Sequence, residues 1–219
     1  MEWQILAGVR FFLAWIVLCL HLGMVVPSDH FLLKFREFGP EAAVLGFLVI
    51  SGYSIAHSIS KRPDGFYKRR FLRVYPLYFA AIIFSLVPFF ILGSEVELLF
   101  FKVGQPDWWT LLCNLTFLQG FLSRSIQSNG VVWTLSVEVF CYLLAPLLIK
   151  TSSQKILILF GLSGLLYIVY SYAVSNFGFP PPRNVRFGVS FLTLLWAWLL
   201  GFLYFRYRKE TALKGATSI

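Results

Sequence analysis

The chain has 219 residues, of which 58% are hydrophobic, 19% aromatic and only 13% charged. A soluble domain carries roughly twice that share of charge, so an ordinary soluble globular fold is excluded and a polytopic membrane protein is indicated. The net charge of +9 does not indicate a nucleic-acid partner. Most of the basic residues flank apolar segments, the arrangement that fixes membrane orientation.

Seven apolar segments follow one another, at 5–26, 42–59, 71–92, 108–122, 131–149, 156–175 and 187–205. Six are long enough, or nearly so, to cross about 30 Å of hydrocarbon as helices. The expected fold is all-α: one transmembrane helix bundle over 1–210, followed by a tail at 211–219 without structure. Cys19, Cys113 and Cys141 all lie inside apolar segments, as small core residues. That placement argues against a disulfide framework or a zinc site, and no metal is expected. No basic region precedes the first apolar run and no small-residue cleavage site follows it, so that run reads as a retained helix.

The first segment carries two ionisable residues, Arg10 and His21, eleven positions apart. At about 100° per residue they fall within about 20° of the same helix face, about 16 Å apart along the axis. A cation and a titratable imidazole on one face of a spanning helix read as the wall of an internal polar path. His21 is either a packing histidine or a general base that accepts a proton from a hydroxyl nucleophile. Arg10 at that depth requires an anionic partner or a wet cavity. His30 and His57, at segment ends or in loops, are expected to be incidental.

The second segment opens at Phe38-Gly39-Pro40-Glu41 and has Ser51-Gly52-Tyr53 at its middle. Gly52 is expected to allow close helix packing. Ser51 either packs in the same way or donates a hydrogen bond to a ligand. Between the second and third segments stand Lys61, Arg62, Lys68, Arg69, Arg70 and Arg73, with Asp64 the only acid. The positive-inside rule places this loop and the N-terminus in the cytoplasm. Arg70 and Arg73 share a helix face, and three arginines converging there suit phosphate oxygens. Tyr75, Pro76 and Tyr78 follow; an aromatic belt around a proline kink accounts for them, and Tyr75 is also a candidate substrate contact.

The fourth segment, 108–122, is short and holds Asn114, Thr116 and Gln119. If it spanned, basic residues outside the core would divide nine and nine across the membrane; if it does not, they divide twelve inside and six outside. The second division obeys the orientation rule better, so a non-spanning segment is expected. The fifth segment begins Trp133-Thr134-Leu135-Ser136-Val137-Glu138. A carboxylate inside an apolar run is costly unless paired or protonated, which singles out Glu138. No internal repeat, heptad pattern or low-complexity stretch is present.

Taken in order, Arg10 with His21, the run from Gly39 to Gly52-Tyr53, Phe66-Tyr67-Lys68-Arg69-Arg70-Phe71-Leu72-Arg73-Val74-Tyr75-Pro76-Leu77-Tyr78, and Trp133 to Glu138 resemble the acyltransferase 3 family. These are integral membrane enzymes that O-acylate bacterial surface glycans and related molecules. The resemblance implies an acyl-CoA donor, acetyl-CoA above all, bound from the cytoplasm of a bacterial inner-membrane protein. It further implies an acceptor hydroxyl on a polysaccharide or lipid-linked saccharide near the outer face. His21 takes the place of the family's essential histidine, and Glu138 is grouped with it as catalytic. Arg10, Arg69, Arg70 and Arg73 fall to CoA binding; Trp133, Ser51 and Tyr75 fall to the substrate. Two departures stand out: Phe11 where the family usually has glycine after the motif arginine, and six or seven helices where about ten are usual. Two further readings fit the same residues. One is a shortened, inactive relative acting as a structural or regulatory membrane subunit; the other is an anion transporter.

Overall fold

The computed structural model describes residues 2–23, 26–27, 29–98 and 101–217. Among them are seven α-helices: α1 Glu2–Leu22, α2 Pro40–Lys61, α3 Phe66–Leu92, α4 Trp108–Leu115, α5 Trp133–Leu148, α6 Ser153–Phe177 and α7 Val189–Thr217. All except α4 are long and apolar enough to cross a membrane, α5 together with the 3-10 turn ahead of it as one stretch, Gln127–Leu148. Helices are the expected answer to that environment, because hydrocarbon offers no partner for a free N–H or C=O. The short α4, with eight residues, does not span, in line with the charge arithmetic. The fold is the expected all-α bundle, with one small β-hairpin, Glu95–Leu98 paired antiparallel with Phe101–Gly104.

Three boundaries differ from the sequence reading. Helix α1 ends at Leu22, and residues 24 and 25 of the expected first segment lie outside the described residues. Helix α3 starts five residues earlier than its apolar run, at Phe66, directly after Gly65 with φ +63°. Lys68, Arg69 and Arg70 therefore project from a helix, where the sequence suggests a loop. Helix α7 continues to Thr217, through most of the tail expected to lack structure; residues 218 and 219 lie outside the described residues.

The centre of the bundle is the crossing of α2 over α7. A Cβ on Gly52 would stand 1.9 Å from Trp198 O, and one on Gly201 would stand 1.9 Å from Val49 O. Only glycine lets two helix backbones approach so closely, and the gain is van der Waals contact along both helices. Ile55, Ala56, Trp198, Leu199 and Phe202 are buried around this crossing. The packing expectation for Gly52 is met, with Gly201 as its counterpart. Helix α6 leans on α7 through Ser163, whose hydroxyl donates to Leu192 O (2.6 Å) and accepts from Trp196 N (2.9 Å). Those two backbone groups are a donor and an acceptor one helical turn apart, so the hydroxyl is threaded into the α7 ladder.

Alternation of the helices puts two ends on the bundle. The 62–65 and 149–152 connections lie at one end, with Arg206 donating to Leu148 O (3.4 Å) and to Thr151 O. The connections 23–39, 93–132 and 178–188 lie at the far end. There α4 is capped by Asp107, whose carboxylate accepts from Thr110 N at 2.6 Å. That bond holds the Asp107 carboxyl below its ordinary range. Buried Asn114 donates to Thr110 O (2.8 Å) and Arg124 O (3.0 Å) and accepts from Ile126 N (3.2 Å). Gln119 donates to Tyr78 Oη (2.9 Å) and Val132 O (3.1 Å). Tyr78 in turn donates to Asn114 O, which ties the whole far-end segment to α3.

Candidate active site

A cavity of about 2220 Å³ is walled by α1, α2, α3, α5 and α6 and by the far-end connections. Its lining includes both Lys61 and Glu41, at opposite ends of α2. Twenty residues of helix separate those two, about 30 Å, so the cavity runs the thickness of a hydrocarbon layer. Ordinary small-molecule pockets hold about 300 to 1,000 Å³; this one has room for two ligands meeting inside it.

Helix α2 presents a stripe of hydroxyls to this cavity. Ser51, Ser54 and Ser58 stand at i, i+3 and i+7 and so share one face. Each is bonded to a charged side chain from a different helix. Ser51 Oγ donates to Glu138 Oε1 of α5 at 2.7 Å. Arg10 of α1 donates to Ser54 Oγ at 2.9 Å and to Ile50 O at 3.4 Å, while the Ser54 hydroxyl donates to Ile50 O at 2.7 Å. Arg70 of α3 donates to Ser58 Oγ at 2.6 Å. Three helices thus have their charges fixed against one rack, and the glycine crossing holds the rack to α7.

Glu138 also accepts from Tyr142, one turn further along α5. Two hydroxyls on one oxygen replace part of the water that this carboxylate loses inside the bundle. Arg70 lies over the Phe66 ring (5.7 Å), and its Nε is buried with no acceptor among the described residues. Burying a guanidinium N–H without a partner is costly, so this edge is suited to an anionic ligand. Arg73 faces the same cavity one turn away. Arg69 also reaches the cavity rim, but its guanidinium donates to Arg62 O (2.5 Å) and to Asp64 O, bracing the connection ahead of α3. Its geometry is that of a loop brace.

His21 lies in the last turn of α1, half-buried on the cavity wall, with Arg36 and Arg183 on the same lining. Among the described residues its imidazole makes no hydrogen bond, either to a backbone carbonyl or to a side chain. Arg10 and His21 do line one path, as their spacing on the helix predicts. Trp133 is on the lining as well.

Tyr75 is not brought to the site. Its ring stacks on Phe71 at 4.5 Å and lies 6.0 Å from Phe117, on the side of α3 away from the cavity. Tyr78, three residues on, is the tyrosine that lines it. His57, expected to be incidental, also lines the cavity, packed 4.7 Å from the Trp3 ring and 5.7 Å from Phe205. Sequence reasoning reads Tyr142 as an ordinary interface or packing aromatic and passes over Ser54 and Ser58. The signal was present for all three: Tyr142 is i+4 to Glu138, and the serines repeat at helical spacing with Ser51. Among the described residues no cluster of His, Cys, Asp and Glu could hold a metal ion.

No curated protein and no solved structure matches the chain. A family model described as an acyltransferase domain, acyltransferase 3, matches residues 3–219, nearly the full length. Its six spanning helices and this match together make the chain a multi-pass membrane protein of the acyltransferase 3 family.

Proposed function

We propose that the protein is a membrane O-acyltransferase that moves an acyl group, acetyl in the first instance, from acyl-CoA to a saccharide hydroxyl. The observation that carries this reading is one continuous cavity holding Arg10, Arg70 and Arg73 towards one end and His21 towards the other. CoA is a polyanion, and two guanidinium groups at a cavity mouth suit its phosphates. The charge distribution supports a cytoplasmic location for that mouth and for the N-terminus; the family resemblance adds a bacterial inner membrane as the setting. Arg10 then meets the donor further in, and the thioester lies along the path towards His21.

In the transfer step, the neutral His21 imidazole takes the proton of the acceptor hydroxyl as its oxygen attacks the thioester carbonyl. The carbon–sulfur bond breaks, and the CoA thiolate leaves and takes up that proton from the His21 imidazolium. Glu138, fixed by Ser51 and Tyr142, sets the polarity of the middle of the path, and Trp133 offers a wall to the acceptor. Arg69 contributes by holding the connection that aims Arg70.

The test is transfer from labelled acetyl-CoA in membranes carrying wild type, His21→Ala, or Arg70→Ala with Arg73→Ala. Loss of label in the first variant, and weaker CoA binding in the second, are expected; equal incorporation by His21→Ala would end the catalytic assignment. A cavity as long as the membrane is thick also fits a carrier of anionic solutes. Solute flux in proteoliposomes without acyl transfer would favour that reading instead.

A further inference from the structure

The far mouth of the cavity carries its own set of cations. Arg36, Arg124 and Arg183 line it, and each comes from a different connection: the 3-10 segment Phe31–Phe38, the stretch after α4, and the short turn Pro182–Asn184. Among the described residues Glu41 is the only carboxylate on that part of the lining. It stands 3.8 Å from Arg183, with side-chain exposures of 88% and 51%, a contact too open to neutralise the group. The other cations at this end are used differently. Lys102 is paired with Glu97 at 2.6 Å, away from the cavity, and Lys34 and Arg186 are not on its lining.

Membrane orientation does not explain three arginines here. The orientation rule disfavours basic residues at the end opposite the larger cluster, yet half of the six that remain at this end face the cavity. Arg36 is also seated where it matters, its Nη1 lying 3.2 Å from the Cβ position of Gly23, in the turn directly after α1 and His21. Guanidinium forks at a mouth lined by one carboxylate select for carboxylate or phosphate oxygens.

Resting on the acyl-transfer reading above, we infer that the acceptor is an acidic saccharide, carrying a carboxylate or phosphate that Arg36, Arg124 and Arg183 hold at the far mouth while a neighbouring hydroxyl reaches His21. The cavity is then cationic at both ends for different reasons: donor phosphates at one mouth, acceptor anion at the other. The arginines here are positioning residues for the acceptor.

The experiment measures binding to the full chain in lipid nanodiscs by microscale thermophoresis. The probes are trigalacturonate, its methyl ester and glucose 6-phosphate. Wild type is expected to bind at least one charged probe about tenfold more tightly than the variant carrying Arg36→Gln, Arg124→Gln and Arg183→Gln, and to bind the ester no better than that variant does. Preference for trigalacturonate identifies a carboxylate, and preference for glucose 6-phosphate a phosphate. Equal binding of acid and ester without tighter binding of glucose 6-phosphate, unchanged binding in the triple variant, or no binding of any probe overturns the inference. CoA affinity measured on the same samples is expected to be unchanged by the triple substitution. If wild type fails to bind CoA, the acyl-transfer reading falls separately from the acceptor site.

Discussion

Ser58→Ala is the sharpest test of the hydroxyl rack, because it removes one oxygen and no charge. Ser58 Oγ accepts from Arg70 at 2.6 Å, while Arg70 Nε has no internal partner. Without the serine, nothing among the described hydrogen bonds fixes the guanidinium plane, and the side chain must be ordered by the ligand itself. Immobilising such a side chain costs about 0.5 to 1.5 kcal/mol, so CoA should bind about 2- to 12-fold more weakly. Arg70→Ala removes the charged contact itself and should cost about 2 to 5 kcal/mol. Titration of CoA into the solubilised full chain reads both variants, with Ser58→Thr restoring the hydroxyl and the affinity. A Ser58→Ala protein that binds CoA as wild type does, while Arg70→Ala does not, would refute the rack as a positioning device. Unchanged binding in both would remove the anion site altogether.

Other perturbations probe the rest of the bundle. Tyr142→Phe strips one of the two hydroxyls from Glu138 and should cost about 1.5 to 3 kcal/mol of stability, read as a lower thermal midpoint; restoration by the further change Glu138→Gln would identify the half-buried Glu138 charge as the cause. Gly201→Ala forces a methyl group against Val49 O and should cost about 1 to 3 kcal/mol, or about 2 to 12 °C in the unfolding midpoint. An unchanged midpoint there would mean that the α2–α7 crossing is looser than described. The Asp107 carboxyl is held below its ordinary value by the Thr110 N–H, so its capping contribution is complete above the unfolded value of about 3.9 and is lost as pH falls through the lower folded value. The protection of the Thr110 amide from hydrogen exchange, relative to the intrinsic rate at the same pH, should fall on acidification in wild type and not in Asp107→Asn; equal pH profiles would disprove the cap.

The six long helices were legible because apolar length alone decides whether a segment can cross a membrane. The shared path of Arg10 and His21 was legible because helical periodicity fixes which side chains share a face. Glu138 was conspicuous for its cost. Tyr75 was misjudged because a tyrosine next to an arginine cluster faces either way on its helix, and the aromatic neighbours Phe71 and Phe117 decided it. The early start of α3 was hidden because its first turn is basic, and hydropathy marks an apolar run while the backbone turn at Gly65 marks the helix. The convergence of Arg36, Arg124 and Arg183 depends on how three connections fold over one mouth, which no local pattern encodes.

The glycine crossing also sets a schedule. Gly52 and Gly201 are 149 positions apart (201 − 52), so α2 has to wait for its backing helix until most of the chain has been made. At ribosomal speeds of about 5 to 20 residues per second, that wait lasts about 7 to 30 seconds. Throughout it the serine rack exists without the helix that holds it, and the bare glycine face of α2 is open to lipid tails or to the wrong neighbour. The catalytic path is therefore laid out early in synthesis and locked late. Substitutions in α7, far from any charged residue of the site, are expected to reach the site through the yield of correctly assembled protein before they reach it through chemistry.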